Sequence, residues 1–316
     1  FAVDFNDRSA RQFKPNIYTL DDKSSISIYS NELNTPYFSG RISTYIPFNL
    51  SSGGWYRGFI PKLSYTITND MFTKDISIMS YNPEMGSFQN NPVFIESTGG
   101  KNTFRHSLTG SLRGYTMLGT ASSAVYPKWG IGAEIGASGS LESSRYLSPM
   151  GYFYLYGYVP GILSEQGLKL TLMTQQKLRS DSVFGQPIVS ILPRGLSSNA
   201  SIASWLSIRN ANITKITADY AVPVFIGDIA LGGNFFSIKR LVITPHFDYS
   251  FIGRKGLWSA GADLTLDMHS ILTLEWPCSF GVTMSYNGGP SWKSISTDSG
   301  ITLDRFHIGP TFNVSF

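Results

Sequence analysis

Few side chains in this sequence could do acid–base or metal chemistry, and they are scattered along the chain. Cys278 is the one cysteine, which excludes an internal disulfide and any cysteine-based metal site. The four histidines lie in separate segments, so only cross-strand pairing would build a metal site from them. Asp267 and His269 share one face of an extended segment, but solvated structural residues explain this pair more simply than catalysis. We therefore expect no enzymatic activity, no metal and no cofactor.

Charged side chains of both signs recur in segments where apolar and polar residues alternate. Successive side chains of a strand point to opposite faces, so these charges share a face that the apolar residues avoid. If the apolar face meets lipid, the charged face lines a lumen, as a polar channel or as an ion-pair network that fills it. Arg105 and Arg113, facing acidic side chains, would begin a selectivity constriction. The predicted lumen-facing residues are Lys62, Arg105, Arg113, Glu134, Lys169, Asp219, Asp248, Asp263, Asp267 and Glu275.

The segments that must position these charges are long alternating runs, and the clearest lie near the C-terminus. Residues 304–316 put their large apolar side chains on one parity, and 272–286 repeats the pattern from Leu272 to Tyr286. Strands of soluble proteins average about 5 or 6 residues, whereas a tilted strand needs about 9 to 11 to cross a bilayer. The clearest runs reach or exceed the second length, which favours a membrane barrel over a soluble β-sandwich or propeller.

Reading the whole chain this way predicts an all-β fold, a transmembrane antiparallel up-and-down β-barrel of about twelve strands. Both parities of 148–160 are aromatic, so its faces stay unassigned. If strands are missing upstream, the native barrel would have 14 to 16 of them. The predicted strands lie near 1–7, 40–49, 56–70, 102–118, 127–142, 148–160, 166–177, 205–224, 241–251, 258–268, 272–286 and 304–316.

The connections between these strands differ in length at the two ends. With Phe316 on the periplasmic side, the longest connections fall outside and the periplasmic ones are mostly short, as in transmembrane barrels. The predicted outer loops are 8–38, 71–101, 143–147, 178–204, 253–256 and 287–303. The predicted periplasmic connections are 49–55, 119–126, 161–165, 225–236 and 270–271.

The composition agrees with an all-β chain and excludes two other classes. Aromatic residues reach 14%, and the mean hydropathy of −0.04 is what alternation of apolar and polar positions produces. No apolar stretch reaches about 18 residues, so a membrane helix is excluded. The net charge of +4 comes from scattered basic residues, which argues against nucleic-acid binding.

The C-terminus and three internal segments resemble known outer-membrane proteins. Phe312, Val314 and Phe316 look like the C-terminal signal that the barrel-assembly machinery reads. IPFNLSSGGWYRGFIPKLSYTITND (46–70), AVYPKWGIGAEIGAS (124–138) and GYFYLYGYVPGILSEQGLKLTLMTQQ (151–176) are similar to a poorly characterised family of large gram-negative surface proteins. The resemblance implies that residues 1–316 are one barrel domain, the C-terminal part of a longer protein with a propeller-like repeat region upstream.

These observations predict an integral protein of a gram-negative outer membrane, with the lipid bilayer and the barrel-assembly machinery as partners. The first functional hypothesis is a channel or transport component for polar solutes. The second is a non-conducting anchor for an upstream periplasmic or surface binding domain, which would add a protein partner. A third, weaker hypothesis is an enzyme, and the fourth is an outer-membrane assembly or translocation barrel, which would need a lateral seam between the first and last strands.

Overall fold

A computed structural model shows a chain built almost entirely from β-strands. It describes residues 2–9, 16–19, 25–30, 36–69, 76–82, 87–96, 104–120, 124–141, 147–179, 184–185, 192–196, 212–231, 236–271, 278–299 and 302–314. Within these ranges, no helix is both long enough and apolar enough to cross a membrane.

One large antiparallel sheet of 13 strands dominates the fold. Its strands follow one another in chain order, so the sheet is an up-and-down meander, as predicted. Every predicted strand corresponds to one of its members. They are β1 (Ala2–Ser9), β4 (Pro36–Tyr45), β5 (Phe48–Asn49), β6 (Trp55–Asn69), β9 (Arg105–Leu118), β10 (Gly130–Ser140), β12 (Met150–Pro160), β13 (Gly167–Lys177), β15 (Ile213–Leu231), β16 (Phe236–Ile252), β17 (Lys255–Ile271), β18 (Cys278–Gly288) and β19 (Phe306–Val314).

The predicted closure of this sheet is not present in the described structure. The hydrogen-bonded order begins at β1 and ends at β19, and no described pair joins these two strands. From β4 onward, each strand of this sheet has at least nine residues except β5, which has two. The longest, β15, has 19. Strands of that length are long enough to cross a bilayer when tilted.

The two ends of the large sheet differ in their connections. At the loop end, the chain between neighbouring strands spans 70–104, 178–212 and 289–305 among others. At the turn end the connections are 4 to 11 residues long, from 232–235 to 119–129, whereas the loop end combines the long connections with the two-residue turn 253–254. This difference matches the predicted alternation of long and short connections.

Two of the predicted outer loops contain strands of their own. Residues in 8–38 and 71–101 form a separate four-stranded antiparallel sheet, in which the strands are neighbours in chain order. These segments alternate too, as in SISIYS, but most are too short to cross a bilayer. The strands are β2 (Asn16–Thr19), β3 (Ser25–Ser30), β7 (Ile76–Asn82) and β8 (Ser87–Glu96).

The predicted periplasmic loop 225–236 is wrong. β15 continues to Leu231 and β16 begins at Phe236, so most of this range is a hairpin. The register of this pair shifts between Pro223 and Phe225 and again between Ile226 and Ile229. Each such irregularity moves later side chains to the opposite face, which ends the apparent alternation although the strand continues.

The remaining elements lie in predicted outer loops at the loop end. Residues 287–303 contain the helix α1 (Trp292–Ser299). Residues 178–204 contain β14 (Phe184–Gly185), which pairs in parallel with β11 (Leu147–Ser148), and a 3-10 turn at Arg194–Leu196.

Candidate functional site

One face of the large sheet carries many buried polar side chains. Residues paired in register point to the same side, so one continuous face can be followed from strand to strand. Asp248, Ser250 and Ser259 on this face are 0% exposed. Other buried members are Ser43, Ser64, Ser111, Thr171, Gln175, Lys215, Thr217, Asp219, Thr244, His246, Ser285 and Asn287. We call this side the polar face.

The opposite side, the apolar face, is exposed. Ile135 is 59% exposed, Phe247 46% and Phe312 61%. Aromatic rings pack against one another across this surface, as Phe280 does with Phe312 at a centroid distance of 4.6 Å. A water-soluble sheet buries its apolar side and exposes its polar side, so the arrangement here is inverted. Further exposed members are Ile42, Leu63, Leu112, Ile131, Ile216, Ile243, Phe251, Leu264, Val282, Met284 and Ile308.

Arg194, which comes from the long connection 178–212, bonds to several groups on the polar face. Its guanidinium binds carboxylates on three consecutive strands, Asp219 of β15 at 2.5 Å, Asp248 of β16 at 3.3 Å and Asp263 of β17 at 2.8 Å. Its backbone N–H also donates to Oδ2 of Asp248 at 2.8 Å. Burial alone would lower the pKa of Arg194, but the three carboxylates outweigh it and raise that pKa above its ordinary value. Arg194 is therefore a permanent cation at the centre of this cluster.

The neighbours of Arg194 in the chain are attached to the same face. Lys215 donates from Nζ to the carbonyl oxygen of Leu192 at 2.8 Å, and Nδ2 of Asn287 donates to the carbonyl oxygen of Gly195 at 3.3 Å. A Cβ added at Gly195 would overlap the side-chain oxygen of Asn287 and lie 2.7 Å from Cβ of Ser285. Only glycine at this position lets the backbone approach β18 so closely.

Further contacts surround the carboxylate of Asp263. Thr283 donates to Oδ1 of Asp263 at 2.5 Å, and Nδ1 of His246 lies 3.4 Å from Oδ2 of the same carboxylate. On the other side of the ring, Nε2 of His246 lies 3.3 Å from Oγ of Ser285. Asp263 is thus held by Thr283 of β18 and by Arg194, and His246 of β16 lies beside it.

Tyrosines cover the polar face around β12. Tyr154, Tyr156 and Tyr158 follow one another at centroid distances of 5.4 and 5.8 Å. The ring of Tyr156 lies on Gly132 of β10, where an added Cβ would overlap it. Gly132 and Gly136 of β10 therefore make room for the rings of Tyr156 and Tyr152.

Two predicted lumen-facing charges lie among these tyrosines. Arg113 donates to the hydroxyl of Tyr156 at 3.1 Å, and Tyr152 donates to Oε1 of Glu134 at 2.7 Å. Arg113 and Glu134 are also paired in register on β9 and β10. Arg105 lies on the same strand as Arg113 but eight residues away, about 26 Å along it at 3.3 Å per residue. The two arginines therefore do not form a single constriction.

The remaining predicted residues are distributed as follows. Asp267 pairs with Arg240, whose Nε donates to it at 2.5 Å. Lys62 lies on the polar face but is exposed, and Lys169 is half-buried. Phe312 lies on the apolar face, and Val314 is the last residue of β19. Glu275 and Phe316 lie outside the described residues.

Sequence reasoning missed three cations that complete these clusters. Lys215 shares the parity of Asp219, so the alternation on β15 contained the signal for it. Arg240 precedes the predicted start of its strand at 241 and faces Asp267 in register. Arg194 has no such signal, because its segment has no strand periodicity.

Comparison with known proteins identifies no relative of this chain. No family model, no curated protein and no solved structure matches this chain. Within the part of the chain that the structure describes, no group of three or more His, Cys, Asp or Glu side chains is arranged to hold a metal ion.

Proposed function

We propose that this chain is a transmembrane β-barrel of a gram-negative outer membrane that conducts polar solutes. The observation that carries the proposal is the inverted burial of the sheet, with Asp248 inaccessible on one face and Phe312 mostly exposed on the other. Lipid around the apolar face would remove those side chains from water, which stabilises the protein by about 25 cal/mol for each Å² of apolar surface removed. The same side chains in water would form an apolar surface far larger than soluble monomers tolerate.

Barrel closure is part of the proposal and follows from the strand order. The single path of the sheet has twelve strands from β1 to β19. Because that number is even, β1 and β19 run in opposite directions and can pair in the antiparallel way. An open edge in lipid would leave backbone groups unpaired at several kcal/mol each, which favours closure in the bilayer.

Conduction is supported by the mixture of charges on the polar face. Lys62 and Arg113 lie on that face and are exposed, so water reaches it along β6 and β9. On the side of β15–β18, the segment around Arg194 occupies the same face. The proposed lumen is therefore open along one wall and narrowed along the other.

Reconstitution in a planar lipid bilayer tests this function. The folded chain should give discrete current steps in potassium chloride, and a heat-denatured aliquot of the same preparation serves as the matched control. Folded, inserted protein that leaves the bilayer sealed would contradict conduction.

The second candidate is a non-conducting membrane anchor. The segment around Arg194 favours it, because a lumen filled by protein carries no current. The four-stranded sheet β2-β3-β7-β8 favours it as well, since it is a structure beyond the large sheet that a barrel could display. An inserted but silent barrel in the same experiment supports this candidate.

A further inference from the structure

We propose that residues 192–196 form a constriction inside the barrel, attached by Arg194, that sets the width and the charge of the solute path. The inference rests on the proposed membrane barrel and assigns a role to a segment that the sequence pattern placed in an outer loop.

The first support is where the segment lies. It belongs to the long connection 178–212 at the loop end, yet it packs against the polar face of β15 to β18. Leu192 is 1% and Leu196 3% exposed. A connection that lies over the outside of a protein does not bury its side chains to this degree.

The second support is that the attachment spans several strands. Arg194 contacts three consecutive strands, which lie about 4.8 Å apart, so one guanidinium covers about 10 Å of the wall. Lys215 and Asn287 hold the backbone on either side of it. Hydrogen bonds to charged groups are stronger than neutral ones, and here one arginine makes several of them.

The third support is the charge balance of the cluster. Arg194 and Lys215 supply two positive charges against three carboxylates, from Asp219, Asp248 and Asp263. Removal of Arg194 leaves one cation facing three carboxylates on adjacent strands. Their repulsion then favours water and mobile cations in the place of the segment.

The inference predicts a specific change in conduction. Arg194→Ala should raise single-channel conductance severalfold and shift the cation-to-anion permeability ratio toward cations by about tenfold, because one unit charge near the path acts on cations and anions in opposite senses. Arg194→Lys keeps the charge and should keep the selectivity near that of the wild type. Arg254→Ala, which removes an exposed arginine from the turn between β16 and β17, is the matched control and should change neither quantity.

A labelling experiment tests the attachment without relying on conduction. In a Cys278→Ser background, Leu196→Cys and Leu192→Cys should react slowly with a membrane-impermeant maleimide. Adding Arg194→Ala should accelerate both reactions at least about tenfold, since the segment loses its attachment. Circular dichroism and heat-modifiable gel mobility verify that every variant is folded.

The outcomes separate this inference from the proposed function. Unchanged labelling rates after Arg194→Ala would overturn the constriction, whatever the conductance. In a further outcome, labelling is slow and Arg194→Ala accelerates it, but the barrel carries no current with either arginine or alanine at position 194. That outcome supports the attachment and contradicts conduction. A silent wild type that conducts after Arg194→Ala supports both, with the segment acting as a complete plug.

Discussion

A single charge placed on the apolar face distinguishes a membrane barrel from a water-soluble sheet. Leu264 lies near the middle of β17 and is 40% exposed, with Ile243 and Val282 as its paired neighbours at 38% and 40%. In a bilayer, arginine on the lipid face near the midplane costs about 2–4 kcal/mol. In water, a substitution at such an exposed site changes stability by about 0.5 kcal/mol or less.

We therefore expect Leu264→Arg to weaken folding into phosphatidylcholine vesicles by about 2–4 kcal/mol, roughly 30- to 900-fold in the equilibrium constant. Reversible urea titration followed by tryptophan fluorescence measures this difference. Ile162→Arg is the matched control, because Ile162 is 91% exposed in the connection 161–166 at the turn end. Equal stability of both variants would refute the assignment of the apolar face to lipid.

Two further substitutions test packing on the polar face. Gly261→Ala should destabilise the fold by about 1–3 kcal/mol in the same titration, since the new Cβ would overlap the backbone carbonyl of Met284. Gly110→Ala is the control and should be nearly neutral, because its new Cβ meets nothing within 4 Å. Asp248→Asn should cost about 3–5 kcal/mol, because it leaves Arg194 short of one buried partner, and a loss below about 1 kcal/mol would contradict the importance of this ion pair.

The strands of the large sheet could be predicted because most of them have one apolar and one polar face, which makes apolar and polar residues alternate along the sequence. β17 alternates strictly from Trp258 to Met268 and β18 from Cys278 to Tyr286, so both their existence and their faces follow from the order of residues. The hairpin of β15 and β16 could not be followed to its end, since register shifts after Pro223 reverse the faces. The faces of β12 stayed open because large side chains occupy both parities, the tyrosines on one and Phe153, Leu155 and Val159 on the other.

Of the candidate site, only the residues that lie on the strands were predictable. Asp219, Asp248 and Asp263 could be assigned to one face by parity, and the structure places them together. The cation that joins them is Arg194, from a segment without regular periodicity, and its position depends on tertiary contacts between residues far apart in the chain. Sequence periodicity carries no information of that kind. The lumen-facing assignments and the assembly signal at Phe312, Val314 and Phe316 all stay predictions, and Glu275 and Phe316 also lie outside the described residues.

Spin-label accessibility along β18 tests the central claim most directly. Nitroxides at positions 279, 280, 282 and 283, in a Cys278→Ser background and in lipid vesicles, should alternate in their exposure to oxygen and to a water-soluble nickel complex. The labels replacing Phe280 and Val282 should meet oxygen and be shielded from nickel, whereas those replacing Ser279 and Thr283 should show low access to oxygen. Nickel reaching positions 280 and 282 as readily as it reaches a label at Ile162 would contradict a lipid-facing apolar surface.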